Sequence, residues 1–235
     1  VKSSRFYQVL GNAQRSADEQ FMDSWDRSFK KAKVLYENGV DISEQCNNMC
    51  NIMMTRDKKM REMVKKHFKP EDYFSVRDHM IGTGMIGGKA CGMLLARAII
   101  RNTEPDIDEV LEPHDSFYVG SDVYYTYIVD NNFWDLRIKQ RTEEGYFSLA
   151  DQFAQQLMNG RFSDEMREQL NRIIEYYGQD PYIVRSSSIL EDGFGNAFAG
   201  KYESVFCANR GTPEEKLEEF GKAIKTVYAS TMSLS

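Results

Sequence analysis

Two stretches of the sequence bring together residue types suited to holding a polyphosphate. In the first, Gly82-Thr-Gly-Met-Ile-Gly87 runs directly into Gly88-Lys89-Ala90. Adjacent glycines let the backbone approach a ligand closely. A helix that starts there offers N–H groups and a partial positive charge to an anion. Lys89 adds a full cation at the same place. The plainer reading is a flexible turn with a solvated lysine, and this segment by itself leaves both open. In the second stretch, residues 181–206, Tyr182-Ile-Val184 reads as a short buried strand that ends in Arg185. Ser186, Ser187 and Ser188 follow, then Glu191-Asp192, then Gly193, Gly195 and Gly200, then a further strand around Ser204 to Phe206. A guanidinium at the end of a buried strand requires an acid, a carbonyl or a ligand anion. The serines add hydroxyl and backbone donors that can line a phosphate path. A structural salt bridge from Arg185 to Glu191 or Asp192 would satisfy the same arginine.

The glycine run also matches two better-known patterns, each incompletely. Gly82, Gly84 and Gly87 fit G-x-G-x-x-G, with Asp106 or Asp108 as the acid further on. A dinucleotide site needs a strand before such a run, and Ser75-Val-Arg-Asp-His-Met80 is a poor buried strand. A P-loop needs glycine where Thr83 stands and a magnesium-holding hydroxyl where Ala90 stands.

The elements that must carry these segments differ along the chain. Up to residue 78 the pattern is helical. A capping box of Ser16 and Glu19 starts a helix near Ser16. Phe21, Trp25, Phe29, Ala32 and Leu35 then recur at three- and four-residue steps until Gly39. A second helix from Ser43 puts Cys46, Cys50, Met53, Met60 and Val64 on one stripe, so that a long helical hairpin is expected, with a methionine-rich face that reads as packing. From residue 79 strands and helices alternate. Ser116 to Val129 suits strand formation. Ser148 to Met158 reads as a helix with Ser148 and Asp151 as its opening box and Gly160 after it; Ser163 to Tyr177 reads as another, closed by Gly178. Thr212-Pro-Glu-Glu215 combines a cap, a first-turn proline and an acid three residues on, and Leu217, Phe220, Ala223, Ile224 and Val227 form the following apolar face.

Bulk properties narrow the function classes. The chain has 235 residues, 41% hydrophobic and 28% charged, with a formal net charge of -6. Such a balance argues against nucleic acid as the main partner, because phosphate neutralisation needs a basic surface. No apolar run reaches the roughly 18 residues of a membrane span, and Val1 to Gln14 does not read as a signal peptide. A cytoplasmic protein with no membrane partner is expected. Cys46 and Cys50 lie one helical turn apart, but His67 and His79 supply no zinc-type spacing, so buried reduced thiols are the better reading of Cys46, Cys50, Cys91 and Cys207. The chain opens on valine, and a longer parent protein is expected.

Taken together and in this order, the motifs resemble the N-terminal ATP-binding domain of the pyruvate phosphate dikinase and phosphoenolpyruvate synthase family, which also includes glucan water dikinase and rifampicin phosphotransferase. Gly87-Gly-Lys-Ala90 resembles its G-G-K-G/A segment. Ile183-Val-Arg-Ser-Ser187 with Glu191-Asp192 resembles its V-R-S-S/G...E-D segment, and Ala197-Phe-Ala-Gly200 with Glu203-Ser204 its S-F-A-G-x-x-E-T segment. Ala223-Ile224 and Val227-Tyr-Ala-Ser230 resemble the helix that follows. Ala197 stands where the family usually has serine, and Lys201-Tyr202 where it has a more polar pair. The resemblance covers about residues 81–235.

That resemblance implies an ATP-grasp-like site. Lys89 and Arg185 would contact the triphosphate, and Gly87, Gly88, Ser186, Ser187 and Ser188 would shape the pocket. Glu191, Asp192, Gly200 and Glu203 belong to the same motifs. In the family ATP phosphorylates a histidine on a separate carrier domain, and a third domain passes the phosphate to the acceptor. The magnesium-binding carboxylates, the adenine-contacting segment and the carrier histidine are expected outside this chain; His67, His79 and His114 read as surface or packing histidines. The expected fold is α/β (α+β): a helical hairpin over residues 1–78, then a small mixed sheet flanked by helices over residues 79–235, as a partial ATP-binding domain. The expected function is the ATP-binding portion of a phosphotransferase, without turnover alone. Its rivals are a non-catalytic nucleotide-sensing or protein-interaction module and a dinucleotide-dependent enzyme.

Overall fold

The computed structural model describes residues 22–104, 106–112, 115–188, 192–193, 196–197, 200 and 202–232, and for 192, 193, 196 and 197 the backbone alone. The fold is of the mixed α/β type, mostly helical, with three two-stranded sheets among the described residues. It divides into two compact units between Tyr118 and Val119.

The first unit is helical at its start. Helix α1 spans Ser24–Glu37, and the Asp23 side chain caps it by accepting from Asp26 N at 2.7 Å. Phe29, Ala32 and Leu35 are its buried face, as their spacing requires. The expected cap at Ser16 lies outside the described residues. Gly39, at φ 68°, turns the chain just past the Asn38 cap. The second arm of the expected hairpin is not one helix. Helix α2 (Ser43–Met49) widens into a π-helical turn at Cys50–Met54, and Thr55 then breaks it with extended backbone. Helix α3 (Lys58–His67) restarts on Asp57, which accepts from Met60 N at 2.8 Å. Helix α4 (Pro70–Asp78) restarts again with proline in its first turn and with Asp72 accepting from Lys69 N at 2.7 Å. Of the expected stripe, Cys50, Met53, Met60 and Val64 are buried in one core with Cys91 and Leu95; Met54 joins them, and Cys46 is only partly buried. Each break places a polar cap outside while the apolar side chains keep facing inward.

After α4 comes β1 (Met80–Ile81), which pairs with β2 (Tyr118–Val119); between them lie helix α5 (Gly88–Thr103) and a 3-10 turn at Ile107–Glu109. Arg77, near the end of α4, forms an ion pair with Asp26 of α1 and donates to Met80 O at 3.2 Å. It thereby joins α1, α4 and the entry to the glycine run.

The second unit corrects two expectations. Ser116 to Val129 is a strand only at Tyr118–Val119; Ser121–Asp130 is helix α6. Val123, Tyr127 and Ile128 are its buried residues, while Tyr125 and Val129 are exposed. Burial of one helical face overrides the strand preference of Tyr, Val and Ile, which measures fit to a pleated surface rather than a backbone rule. Tyr127 Oη donates to Leu157 O at 2.7 Å from within that face. Helices α7 (Trp134–Gln140) and α8 (Glu143–Ser148) follow. Ser148 ends α8, its Oγ donating to Glu144 O at 2.9 Å, so it does not open the next helix. Helix α9 (Ala150–Asn159) starts instead behind Leu149 and ends at Gly160, as expected. Helix α10 (Asp164–Tyr177) is capped by Ser163 and closed by Gly178 at φ 62°. Strands β3 (Tyr182–Arg185) and β6 (Ser204–Cys207) pair antiparallel, and the short β4 (Asp192–Gly193) and β5 (Asn196–Ala197) pair with each other. Helix α11 (Pro213–Ser230) begins with the full capping box of Thr212 and Glu215 and buries Leu217, Phe220, Ala223, Ile224 and Val227. It packs on α9, α10, β3 and β6.

Gly160 has an ordinary backbone conformation, yet a Cβ there would lie well inside contact distance of Tyr127 Oη. Gly160→Ala is expected to destabilise the protein by about 1–3 kcal/mol through overpacking, read as a lower thermal midpoint; an unchanged midpoint would refute this packing account. The thiols give a second test. Burial pushes Cys46 and Cys207 up to about 11 and Cys91 up to about 12. The buried Cys91 and Cys207 then stay protonated at about pH 8, and a disulfide-exchange reagent is expected to react with them only as fast as the chain opens, and sooner with the half-buried Cys46.

Candidate phosphate-binding segments

Lys89 occupies the second position of α5. Gly87 is the helix cap, at φ 87° and ψ 178°, and provides no side-chain cap. Only glycine adopts that backbone without strain. Gly82 (φ 70°) and Gly84 (φ 85°) turn the loop before it. The loop is fixed to the π-helical turn by two backbone bonds: Ile86 N donates to Met53 O at 2.9 Å and Gly87 N to Met54 O at 3.3 Å. Ile86 is buried between them and the core. Helix α5 is held in turn by Cys91, Leu95 and Ala98, its buried stripe, packed against α3. Gly88 is buried and Lys89 half-buried. The result is a rigid helix start with a lysine in its first turn, a geometry suited to an oxyanion. The strand before it has two residues in a two-stranded sheet, and Ser75–Asp78 is helical. The glycine run is thus preceded by a short strand, Met80–Ile81, and followed by a helix.

Arg185 ends β3, opposite Ser204 of β6. The strand is not the buried one the sequence implied. Ile183 and its cross-strand partner Phe206 are exposed, Phe206 at 81%, while Cys207 and the half-buried Tyr182 face the core. Alternation of this kind belongs to a sheet with one open face. Arg185 is therefore exposed, and among the described residues it has no carboxylate partner. Glu191 lies outside the described residues, and so does the side chain of Asp192, whose backbone pairs with Ala197. Ser186 is buried, and Ser187 and Ser188 are half-buried. Gly200 has φ 82° in open space. Glu203 is exposed, and its N–H donates to Ser230 Oγ at 3.1 Å, which fixes the start of β6 to the end of α11. Gly195, Phe198, Ala199, Lys201 and His114 also lie outside the described residues.

Several residues that position these segments were not singled out by the sequence reading. Asn209 is wholly buried at φ 54°. Its Nδ2 donates to Gly178 O at 3.3 Å and Asp180 O at 3.0 Å, the turn that feeds β3. Its N–H and that of Ala208 donate to the Glu219 carboxylate of α11 at 3.1 and 3.2 Å. Lys216 Nζ also reaches Gly178 O, at 2.6 Å. Tyr182 completes the joint, stacked on Tyr177 at 5.5 Å and edge-on to Phe220 at 5.1 Å. Burial raises the Tyr182 hydroxyl well above its ordinary range, so it stays protonated. Asn209 in an Asn-Arg-Gly turn was the available signal, because asparagine tolerates the left-handed region.

Asn209→Ala is expected to cost about 2 kcal/mol or more, losing both the left-handed tolerance and the two carbonyl partners. Asn209→Gly keeps the backbone tolerance and is expected to lose less. Chemical denaturation of both variants checks this, and equal losses would remove the backbone contribution.

The match to known families falls on both segments. Over residues 83–235 the chain matches the family described as pyruvate phosphate dikinase, AMP/ATP-binding domain. That stretch includes Lys89 and the whole described second unit, and it covers more than half of the chain. No curated protein and no solved structure matches the chain. The glycine-lysine helix start and the β3–serine segment thus lie within one recognised nucleotide-binding domain, and the chain belongs to the pyruvate phosphate dikinase AMP/ATP-binding domain family.

Proposed function

We propose that this chain is the ATP-binding portion of a phosphotransferase of the phosphoenolpyruvate synthase and pyruvate phosphate dikinase type. The observation that carries the reading is Lys89 in the first turn of a helix capped by a left-handed glycine, inside the family-matched residues. Lys89 and Arg185 bind the triphosphate, lysine as a point charge and arginine through a forked set of donors. Gly87 and Gly88 let phosphate oxygens approach the backbone, and Ser186, Ser187 and Ser188 supply further donors. Glu191, Asp192, Gly200 and Glu203, of the same motifs, are assigned to ATP binding with them. Residues 79–235 form the nucleotide-binding part, with the helical residues before them as its support.

Phosphoryl transfer needs positioning and charge neutralisation more than covalent chemistry from the protein. On this reading the phosphoryl group passes to a histidine of a carrier domain outside this chain, and an acceptor domain takes it from there. Magnesium, when bound, would offset the negative charge of the phosphates. Among the described residues no three His, Cys, Asp or Glu side chains form a group that could hold it. Work in the cytoplasm accords with the absence, among the described residues, of a helix long and apolar enough to cross a membrane.

Calorimetric titration with ATP and magnesium, on this chain and on any longer form that carries it, tests the reading. Lys89→Ala and Arg185→Ala are each expected to weaken ATP binding roughly ten- to a hundredfold, the effect of losing a charged hydrogen bond worth about 1.5–3 kcal/mol. AMP binding is expected to suffer less than ATP binding, because AMP lacks two of the three phosphates of the triphosphate that both side chains are proposed to hold. If neither substitution changes ATP affinity, the triphosphate assignment fails and the chain acts as a nucleotide-sensing or protein-interaction module.

A further inference from the structure

The first unit contains a second place where cations converge. A cleft of about 100 Å³ opens between α4, α5 and the Ser116–Tyr118 segment. Arg97 and Arg101, one turn apart on α5, line one wall; Asp72, Ser75 and His79 of α4 and its end line the other, with Ser116 beside them. Arg97 is oriented by donating from Nη2 to Glu112 O at 2.8 Å. Arg101 is oriented through Nε by Asp108 at 3.0 Å, a solvent-exposed pair that screening keeps weak. Each guanidinium carries five donors; beyond these bonds, the Arg101 charge also acts on the Asp72 carboxylate across the cleft. His79 is fixed by Nδ1 at 2.9 Å from Ser75 O and by the Phe117 ring at 5.2 Å.

We propose that this cleft binds a phosphate group, either as the free ion or as the head of a small phosphate monoester. Two guanidinium groups on one wall, facing the Ser75 hydroxyl and with Ser116 beside them, supply the kind of donors that phosphate oxygens accept from. The volume admits a group of that size and leaves anything larger in solvent. Of the charged side chains that line the cleft, Arg97 and Arg101 outnumber Asp72. Asp72 opposes the ligand but is engaged at the α4 start, where it accepts from Lys69 N at 2.7 Å. The site is separate from the Lys89 end of α5: Arg97 is eight residues further on, about 12 Å of helical rise. The inference therefore does not rest on the nucleotide reading.

The test uses the full 235-residue chain, titrated with inorganic phosphate and with methyl phosphate, following the His79 ring resonances by NMR. A saturable shift is expected with at least one probe. Tighter binding of inorganic phosphate identifies the free ion as the ligand, and tighter binding of methyl phosphate identifies a phosphorylated molecule. Arg97→Gln and Arg101→Gln are each expected to weaken binding about tenfold, the usual loss for one charged hydrogen bond. Arg97→Lys, which keeps the charge without the fork, should fall between, and it supplies the readout if Arg97→Gln does not fold. Asp72→Asn keeps a capping acceptor, removes the opposing charge, and should tighten binding. Lys89→Ala should leave it unchanged. Failure of both probes to saturate would overturn the proposal, as would saturation indifferent to both arginines or abolished by Lys89→Ala.

Discussion

Two backbone hydrogen bonds, from Ile86 N to Met53 O and from Gly87 N to Met54 O, set the geometry on which the first unit depends. A helix end leaves carbonyls without intrahelical partners, and a buried one left unmade costs about 1–3 kcal/mol. The π-helical turn at Cys50–Met54 ends inside the core, where water cannot serve. The glycine loop supplies the missing donors, and in doing so it acquires a fixed path. Gly87 then takes a left-handed backbone that directs the chain into α5, and the Cys91-Leu95-Ala98 stripe holds that helix on α3. The placement of Lys89 is a consequence of methionine packing well before it in sequence.

The second unit solves a different problem. A pair of four-residue strands with one exposed face is marginal without a partner element. Helix α11 is that element, and its capping box fixes where it starts. Asn209 and Glu219 join three pieces of backbone, the end of α10, the turn before β3 and the turn after β6, through bonds to their carbonyl and N–H groups. The Tyr177–Tyr182–Phe220 contacts fill the space behind the strand. Arg185 and the following serines leave this joint at a defined position with Arg185 in solvent. An exposed arginine has no burial penalty to offset, so it can serve a ligand without weakening the fold.

Both sets of cations sit on an acidic chain. Local convergence of positive charge, rather than net charge, decides what binds, because exposed charges beyond about 8–10 Å are screened at ordinary ionic strength. Lys89 is placed by the backbone of its helix start and Arg185 by the end of β3. Arg97 and Arg101 act through the cleft that two helices leave between them.

The sequence by itself determined the features that depend on neighbours along the chain. The Thr212-Pro-Glu-Glu215 start, the Ser163 cap, the stops at Gly160 and Gly178, and the helix opening at Gly87-Gly88-Lys89 all follow from local backbone chemistry. The family motifs were legible for the same reason, since they are short and contiguous. Tertiary structure alone decided what depends on distant burial. It made Ser121–Asp130 a helix despite its Tyr, Val and Ile content, by burying Val123, Tyr127 and Ile128 on one face. It divided the second arm of the expected hairpin into short helices so that Met53, Met54, Met60 and Val64 could share one core. It left the outer face of β3 and β6 open, which put Arg185 in solvent. It also assigned Arg77 and Asn209 their positioning roles, because each bonds to backbone or carboxylate groups tens of residues away, and no local spacing encodes such a partner.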